Sequence, residues 1–318
     1  MSKIYPIGEP LIDFQPVGTG SLKDTSQFVK NAGGAPANVC VQAVKLGQKA
    51  VYLTQVGDDG FGEFLTDTLR NEGVDVSYVK KTDNYDTSLA FVSFKEDGER
   101  EFSFYRKAAA DLYFTPEDFK NVDFTADDYL EFGSVALKTQ TAKDTHISLI
   151  ERARAVGATV CFDPNLRFNL WENKDELKDA VLRFSAFADV IKVGEEELEF
   201  ITSLTGADAV KAMFSGRLKV LLVTDGAKGA KLYLADGREF SCGGYKVKAV
   251  DTTGAGDSFF GGFIAGLMEN GVTTANALSF EKYESLLSFA CKCGAFTATG
   301  YGAIPAMGNR QIIEKAVK

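Results

Sequence analysis

Short, nearly unbroken apolar runs alternate along the chain with longer stretches of helical period. Ala50-Val51-Tyr52-Leu53-Thr54-Gln55-Val56 reads as a buried strand. The turn Gly57-Asp58-Asp59-Gly60 then opens a helical pattern from Phe61 to Glu72. Tyr129 to Phe132 predicts a further strand. His146 to Val156 predicts a partly exposed helix that stops at Gly157, and Thr159 to Asp163 the strand after it. Val190 to Val193, followed by an acidic helix from Glu195 to Leu204, repeats the unit. Val220 to Thr224 is the most strand-like run of all. Strands and helices alternating at this spacing predict βαβ units, hence an α/β fold with a mainly parallel sheet between two helical layers.

Two stretches break that rhythm. Residues 13–32 are polar and glycine-rich, with little helical period. Residues 86–106 alternate apolar and polar positions on either side of Lys95-Glu96-Asp97-Gly98-Glu99, the pattern of a hairpin around a Gly-containing turn. Two β insertions of this kind can pair into a small sheet beside the main domain, and a small sheet on flexible connections makes a lid. The predicted division is therefore an α/β core of residues 1–12, 33–85 and 107–318, with 13–32 and 86–106 as a β-sheet lid.

Composition narrows the possible functions. The 318 residues carry a formal net charge of −9, and no Lys/Arg block stands out. Nucleic acid and anionic membranes are poor partners for such a chain. No apolar run approaches the roughly 18 residues of a spanning helix, and the opening Met-Ser-Lys-Ile-Tyr-Pro-Ile-Gly has no signal-peptide profile. The expected location is cytoplasmic. Five cysteines (Cys40, Cys161, Cys242, Cys291 and Cys293) without a C-x-x-C pair do not suggest a disulfide framework or a zinc site. With His146 as the only histidine, His-dependent catalytic triads are disfavoured as well.

The strongest local signal is Asp251-Thr252-Thr253-Gly254-Ala255-Gly256-Asp257-Ser258. A small-residue turn opens here onto a helix that begins near Asp257. Backbone N–H groups converge at such a helix start, where the macrodipole favours anions. Asp257 is then a carboxylate beside an anion site, placed to take a proton from a hydroxyl that attacks a phosphoryl group. The same aspartate taken alone reads equally as a helix cap. A second segment, Asn31-Ala32-Gly33-Gly34-Ala35-Pro36-Ala37-Asn38, precedes a helix from Val39 to Leu46. Gly33 and Gly34 allow close backbone approach to a ligand, and Asn38 offers the donor and acceptor that suit a sugar diol. No G-x-x-x-x-G-K-[ST] sequence occurs. Gly57-Asp58-Asp59-Gly60-Phe61-Gly62 has the wrong spacing for a dinucleotide loop and would set two aspartates against a pyrophosphate, which argues against a dehydrogenase.

Taken together, the Gly-Gly-x-x-x-Asn and Asp-Thr-Thr-Gly-Ala-Gly-Asp segments resemble the two signatures of the ribokinase (pfkB) family of carbohydrate kinases, in matching order and separation. The resemblance extends over essentially the whole chain, including Val56-Gly57-Asp58-Asp59-x-Phe61-Gly62 and Val223-Thr224-Asp225-Gly226-Ala227-x-Gly229. It implies a Rossmann-like core with a β-sheet lid. Within the family the chain most resembles fructokinases, through Gly8-Glu9-Pro10-Leu11-Ile12-Asp13-Phe14, Phe104-Tyr105-Arg106-Lys107 and Asp163-Pro164-Asn165-x-Arg167. The first and third of these are partly shared with 2-keto-3-deoxygluconate kinases.

The resemblance implies ATP-dependent phosphorylation of a sugar primary hydroxyl, with Asp257 as general base and the N–H groups of Ala255, Gly256 and Asp257, after Gly254, as the anion hole. Asp13, Gly33, Gly34, Asn38, Phe104, Arg106 and Asn165 are the implied sugar contacts, and Arg167 the group that steadies phosphate charge. Lys192, Thr224, Gly226, Gly229, Cys291 and Gly294 are implied on the nucleotide side. Magnesium is implied with ATP through a water-mediated contact to Glu197, although Gly194 stands where many relatives carry Asn. The loops at Asp251 to Thr253 and Thr299 to Ala303 are where some relatives hold a monovalent cation, potassium. A homodimer through the lid is also implied. A 2-keto-3-deoxygluconate kinase and a catalytically silent, kinase-like regulatory protein are the alternatives, and the intact Gly254-Ala255-Gly256-Asp257 turn argues against the second.

Overall fold

The unbroken apolar runs become strands buried on both faces, because helices cover the sheet above and below. This computed structural model describes residues 2–18, 20–94, 100–214 and 216–318. Its strands are β1 (Lys3–Ile7), β2 (Leu11–Pro16), β3 (Phe28–Gly33), β4 (Lys49–Ala50), β5 (Thr54–Gly57), β6 (Val79–Thr82), β7 (Leu89–Phe94), β8 (Arg100–Tyr105), β9 (Tyr129–Gly133), β10 (Thr159–Asp163), β11 (Val190–Gly194), β12 (Val220–Thr224), β13 (Gly229–Leu234) and β14 (Glu239–Gly243). Its helices are α1 (Ala35–Lys45), α2 (Gly60–Asn71), α3 (Gln140–Ala155), α4 (Lys174–Ser185), α5 (Glu195–Thr202), α6 (Gly206–Met213), α7 (Ala255–Glu269), α8 (Tyr283–Thr297) and α9 (Arg310–Ala316).

The main sheet has eight strands in the order β14-β13-β12-β11-β10-β9-β1-β4. From β4 to β12 every pairing is parallel, and the β13–β14 hairpin closes one edge antiparallel. Alternation along each strand splits the core in two. Ile4, Tyr129, Cys161, Val190, Val220 and Leu222 face α1, α7 and α8. Tyr5, Leu130, Phe132, Val160, Phe162, Ile191 and Leu221 face α3 to α6. The same parity turns Glu131, Asp163 and Lys192 toward the α1–α7 side, where all three are buried.

The two irregular stretches do pair. β2, β3, β7 and β8 form a separate sheet in the order β3-β2-β7-β8, antiparallel except where β2 meets β7. The hairpin turn expected at Lys95 to Glu99 lies outside the described residues. Asp13, Asn31, Ala90 and Phe104 stand abreast on one face of this sheet.

Three expectations change. The single strand expected over residues 50–56 divides: β4 joins the main sheet, while β5 pairs with β6 in a two-stranded sheet of its own. The helix expected from His146 begins at Gln140, because the Thr139 side chain caps it by accepting from the Ala142 N–H. His146 itself is fully buried rather than partly exposed. Its Nδ1 lies 2.7 Å from the Ala142 carbonyl and its ring packs among Phe114, Phe132 and Phe184. Burial drives its pKa down to about 4, so the ring is neutral. Among the described residues no helix is long and apolar enough to cross a membrane, and all five cysteines are free thiols.

Candidate active site

A cleft opens at the carboxyl ends of β1, β10 and β11, where α/β sheets place their ligands. Gly254, with φ +75°, is the left-handed residue that caps α7. A Cβ there would collide with Ala303. Asp257 falls in the first turn, and its Oδ2 accepts a hydrogen bond from Asn38 Nδ2 at 2.7 Å. Asn38 is held in place by α1, which starts directly after Gly34. Burial raises the pKa of Asp257, while the Asn38 hydrogen bond and the Lys192 and Arg167 charges partly offset the rise. The first-turn amides of Gly256 and Asp257 have no earlier turn to bond to. Ala255 differs from the expected anion hole: its N–H is donated to the Thr252 carbonyl at 3.2 Å and closes the turn instead.

Around this helix start lies a cavity of about 270 Å³, lined by residues that include Glu9, Asp13, Gly34, Asn38, Phe104, Asn165, Arg167, Lys192, Thr253, Gly254, Gly256 and Asp257. Thus most of the residues singled out in sequence converge on one hollow, although they come from both sheets and from positions more than two hundred apart. Lys192 Nζ pairs with Asp163 Oδ2 at 2.9 Å. Burial works against its charge, but the Asp163 and Glu197 carboxylates outweigh burial and keep the ammonium charged. Asn165 takes a left-handed φ of 44° just after β10, a conformation Asn tolerates better than most side chains. Arg167 is exposed at the rim. Its charge opposes the upward pull that burial exerts on Asp13, whose pKa rises to about 7.

Two expected sugar-side residues, Gly33 and Arg106, sit differently, and Gly34 lines the cavity as expected. Gly33 does not line the cavity; a Cβ there would strike the Asp13 carboxylate, so its absence makes room for that side chain. Gly34, with φ +107°, lets the chain pass against the Glu9 carbonyl, where a Cβ would also collide. Arg106 was expected in the site and instead lies behind its wall. It is ion-paired with Asp111, donates from Nε to Ser88 Oγ at 2.9 Å and from NH1 to the Val135 carbonyl at 3.3 Å. Three of its N–H groups are engaged this way, and it is not among the residues that line the cavity. Glu9 was quoted in sequence only as part of a motif, yet it does line the cavity while 2% exposed.

Comparison with known proteins agrees with this geometry. Residues 1–309 match the pfkB family carbohydrate kinase domain. The chain belongs to the pfkB family of carbohydrate kinases. It is 39% identical to fructokinase-2 of Solanum lycopersicum over 309 residues, covering 96% of this chain and 92% of that protein. It is also 39% identical to fructokinase-1 of Oryza sativa subsp. japonica, over 96% and 94% of the two chains. Among solved structures, the fructokinase of Vibrio cholerae O395 bound to fructose, ADP and calcium superposes with a TM-score of 0.87 at 31% identity, over 100% of this chain and 99% of that one. Aminoimidazole riboside kinase of Salmonella enterica gives 0.83 at 28% identity, over 99% of each.

The residues expected on the nucleotide side of this pfkB kinase spread beyond the cavity. Lys192, Gly254 and Gly256 line it, whereas Thr224, Gly226, Gly229, Cys291 and Gly294 do not. Thr224 ends β12, and Gly226 and Gly229 shape the turn into β13 with positive φ. A Cβ on Gly294 would press on the Ala255 carbonyl, so this glycine lets α8 pack against the first turn of α7. Cys291 is buried one turn earlier.

Glu197 accepts from the Leu166 N–H at 2.6 Å and from the Gly194 N–H at 2.7 Å, so it closes α5 as a capping residue. A carboxylate has room for further donors, and these bonds therefore still allow a water on a metal. The Asp251 carboxylate accepts from Gln15 Nε2 at 2.9 Å, the Thr253 N–H at 2.9 Å and the Gly302 N–H at 3.0 Å. It ties together the two loops expected to supply carbonyl oxygens to a monovalent cation. Among the described residues no group of three or more His, Cys, Asp or Glu side chains is arranged to hold a metal.

Proposed function

We propose that this chain is an ATP-dependent fructokinase that phosphorylates the primary C6 hydroxyl of D-fructose. The observation that carries the reading is Asp257, held by Asn38 at 2.7 Å in the first turn of a glycine-capped helix and facing a polar, hexose-scale cavity. Fructokinases are also the relatives that match along nearly the full length.

In this reading Asp257 Oδ1 or Oδ2 takes the hydroxyl proton as that oxygen bonds to the γ-phosphorus and the bond to ADP breaks. A raised pKa makes the carboxylate a stronger base than an ordinary aspartate. The amides of Gly256 and Asp257, with Gly254 and Ala255 shaping their turn, meet the phosphoryl oxygens, and the Lys192 and Arg167 charges support them. Asp13, Gly34, Asn38, Phe104 and Asn165 hold the sugar, with Gly33 making room for Asp13 and Arg106 acting from behind the wall. Thr224, Gly226, Gly229, Cys291 and Gly294 flank the nucleotide. ATP would supply the phosphoryl group, and magnesium bound with it would neutralise part of the phosphate charge. It would be held mainly through phosphate and water, with Glu197 as the residue for a water-mediated contact. Carbonyls of the loops at Asp251, Thr253 and Gly302 are the candidate seat for potassium.

A sugar acid such as 2-keto-3-deoxygluconate fits less well. Glu9 and Asp13 would oppose its carboxylate, and Arg106 is already neutralised by Asp111. We assign residues 13–32 and 86–106 to a lid over the core of 1–12, 33–85 and 107–318. A homodimer through that small sheet is part of this reading, supported by the exposed Val29 on one of its faces and the exposed Tyr105 on the other. A monomeric mass by sedimentation would remove the dimer.

The test is turnover of ATP with magnesium against fructose, ribose, adenosine, glucose, tagatose and 2-keto-3-deoxygluconate, in wild type and in Asp257→Asn. Fructose is expected to be strongly preferred. The variant is expected to lose about 10²–10⁴ in kcat, the usual contribution of a general base, with fructose binding close to wild type. A variant that keeps most of its kcat overturns the assignment of the base, and preference for another sugar overturns the substrate.

A further inference from the structure

Glu9 is the one carboxylate on the cavity wall that the mechanism does not use. It follows β1 directly and is 2% exposed. Among the described residues its Oε2 has no hydrogen-bond partner, although the side chain lines the cavity shared by Asp13, Asn38 and Asp257. A buried acceptor left unpaired costs about 1–3 kcal/mol, so an orphan at a ligand site points to a partner that arrives with the ligand. Its surroundings explain how it is kept there. Arg106 lies behind it with its charge held by the buried Asp111 and by Ser88. Burial lifts the Glu9 pKa to about 7, with Arg106 opposing the rise and Asp111 adding to it.

We propose that Glu9 is a sugar-binding residue whose free carboxylate oxygen accepts a hydrogen bond from one hydroxyl of the substrate. The inference rests on the kinase reading above and deepens it. A wall bearing Glu9 and Asp13 selects a neutral polyol, since each carboxylate rewards a hydroxyl donor and rejects an anion.

The experiment measures KM and kcat for the sugar in wild type, E9Q and E9D, each with its KM for ATP and its thermal midpoint. E9Q removes the charge at nearly constant shape, and E9D keeps the charge but withdraws it by one carbon. Both are expected to raise the sugar KM by about ten- to a hundredfold, the worth of a hydrogen bond to a charged group. The KM for ATP and kcat should move by less than about threefold, a small fraction of that loss. Among the singly deoxygenated fructoses, the one lacking the contacted hydroxyl should bind wild type as weakly as fructose binds E9Q, and E9Q no worse. An unchanged sugar KM in either folded variant overturns the proposal. So does an equal rise in the KM values for sugar and ATP, which would mark a structural role. If wild type prefers another sugar, the fructose reading fails, and the same ratios taken on the preferred sugar still decide the role of Glu9.

Discussion

Arg106 and Asp111 illustrate how a residue's neighbours decide what it can do. Both are almost fully buried, and each neutralises the other. Removing one partner of such a pair leaves an uncompensated charge in the interior and costs about 3–5 kcal/mol. Asp111→Asn is therefore expected to lower stability by about that amount, measured by denaturant unfolding with an unchanged m-value. A loss below about 1 kcal/mol, the scale of an exposed pair, would mean that the guanidinium finds water or another acceptor. Arg106 was expected in the site because Phe104-Tyr105-Arg106-Lys107 resembles the corresponding segment of fructokinases. Its partner lies five residues on, past Lys107 and three alanines, in a turn whose burial no local pattern announces. Glu9 was missed for the opposite reason. A carboxylate after a strand is ordinary in sequence, and only its burial without a partner makes it conspicuous.

At the scale of elements, what repeats was readable and what depends on distant partners was not. The parallel strands β9 to β12 appear where uninterrupted apolar runs predicted them, because burial on both faces writes itself as such a run. The glycine segments at Gly33-Gly34 and Gly254-Ala255-Gly256 also announced their helices. The division of residues 50–56 was hidden, since the apolar run from Ala50 to Leu53 leads without a break into β5 and only the pairing partners separate the two strands. The edge hairpin of β13 and β14 also left little trace, with Glu239, Ser241 and Gly243 of β14 exposed and Phe240 and Cys242 only half-buried. The small sheet was visible as an interruption, but its attachments were not. Gln15 on β2 bonds Asp251, and Asn169, in the loop after β10, bonds the Phe102 carbonyl of β8 at 2.9 Å. Among the described residues these hydrogen bonds, together with Ile12 and Ala32 packed into the main core, tie the sheet to the domain, and its Phe102 and Phe104 side chains line the cavity. Binding of sugar together with a non-hydrolysable ATP analogue is expected to draw the sheet inward, excluding water from the phosphoryl group. Small-angle scattering should then show a smaller radius of gyration with both ligands than with neither. Superimposable profiles would count against a moving lid.

Across the whole molecule, the site concentrates carboxyl groups that the fold must keep partly protonated while no ligand is bound. Burial raises Glu9 and Asp13 each to about 7, from ordinary values near 4. Glu9 faces Arg106, Asp111 and Asp257; Asp13 faces Arg167, Asp257 and Asp251. A raised carboxyl binds its proton more tightly folded than unfolded, so its stabilisation is present below the unfolded pKa and fades as pH rises through the folded one. His146 works the other way. Held neutral at about 4, it favours the folded state above its unfolded pKa near 6.5 and penalises it as pH falls below that. From pH 6 to pH 8 each carboxyl sheds about one proton-unit of stabilisation, roughly 1.4 kcal/mol, and His146 returns about half as much as one carboxyl loses. Glu131 and Asp163, also raised by burial, add to the loss, so the unliganded protein is expected to be less stable at pH 8 than at pH 6 by at least about 2 kcal/mol, as read from urea unfolding at constant ionic strength. Asp13→Asn should reduce that difference by about 1.4 kcal/mol, the share of one carboxyl. A neutral sugar that donates hydroxyls to the ionised carboxylates should reduce it too, because binding then draws the two groups back toward ordinary acidity and releases protons. Stability that holds level or rises from pH 6 to pH 8 would mean that both carboxyls are already ionised in the empty site, with Arg106 and Arg167 outweighing their burial.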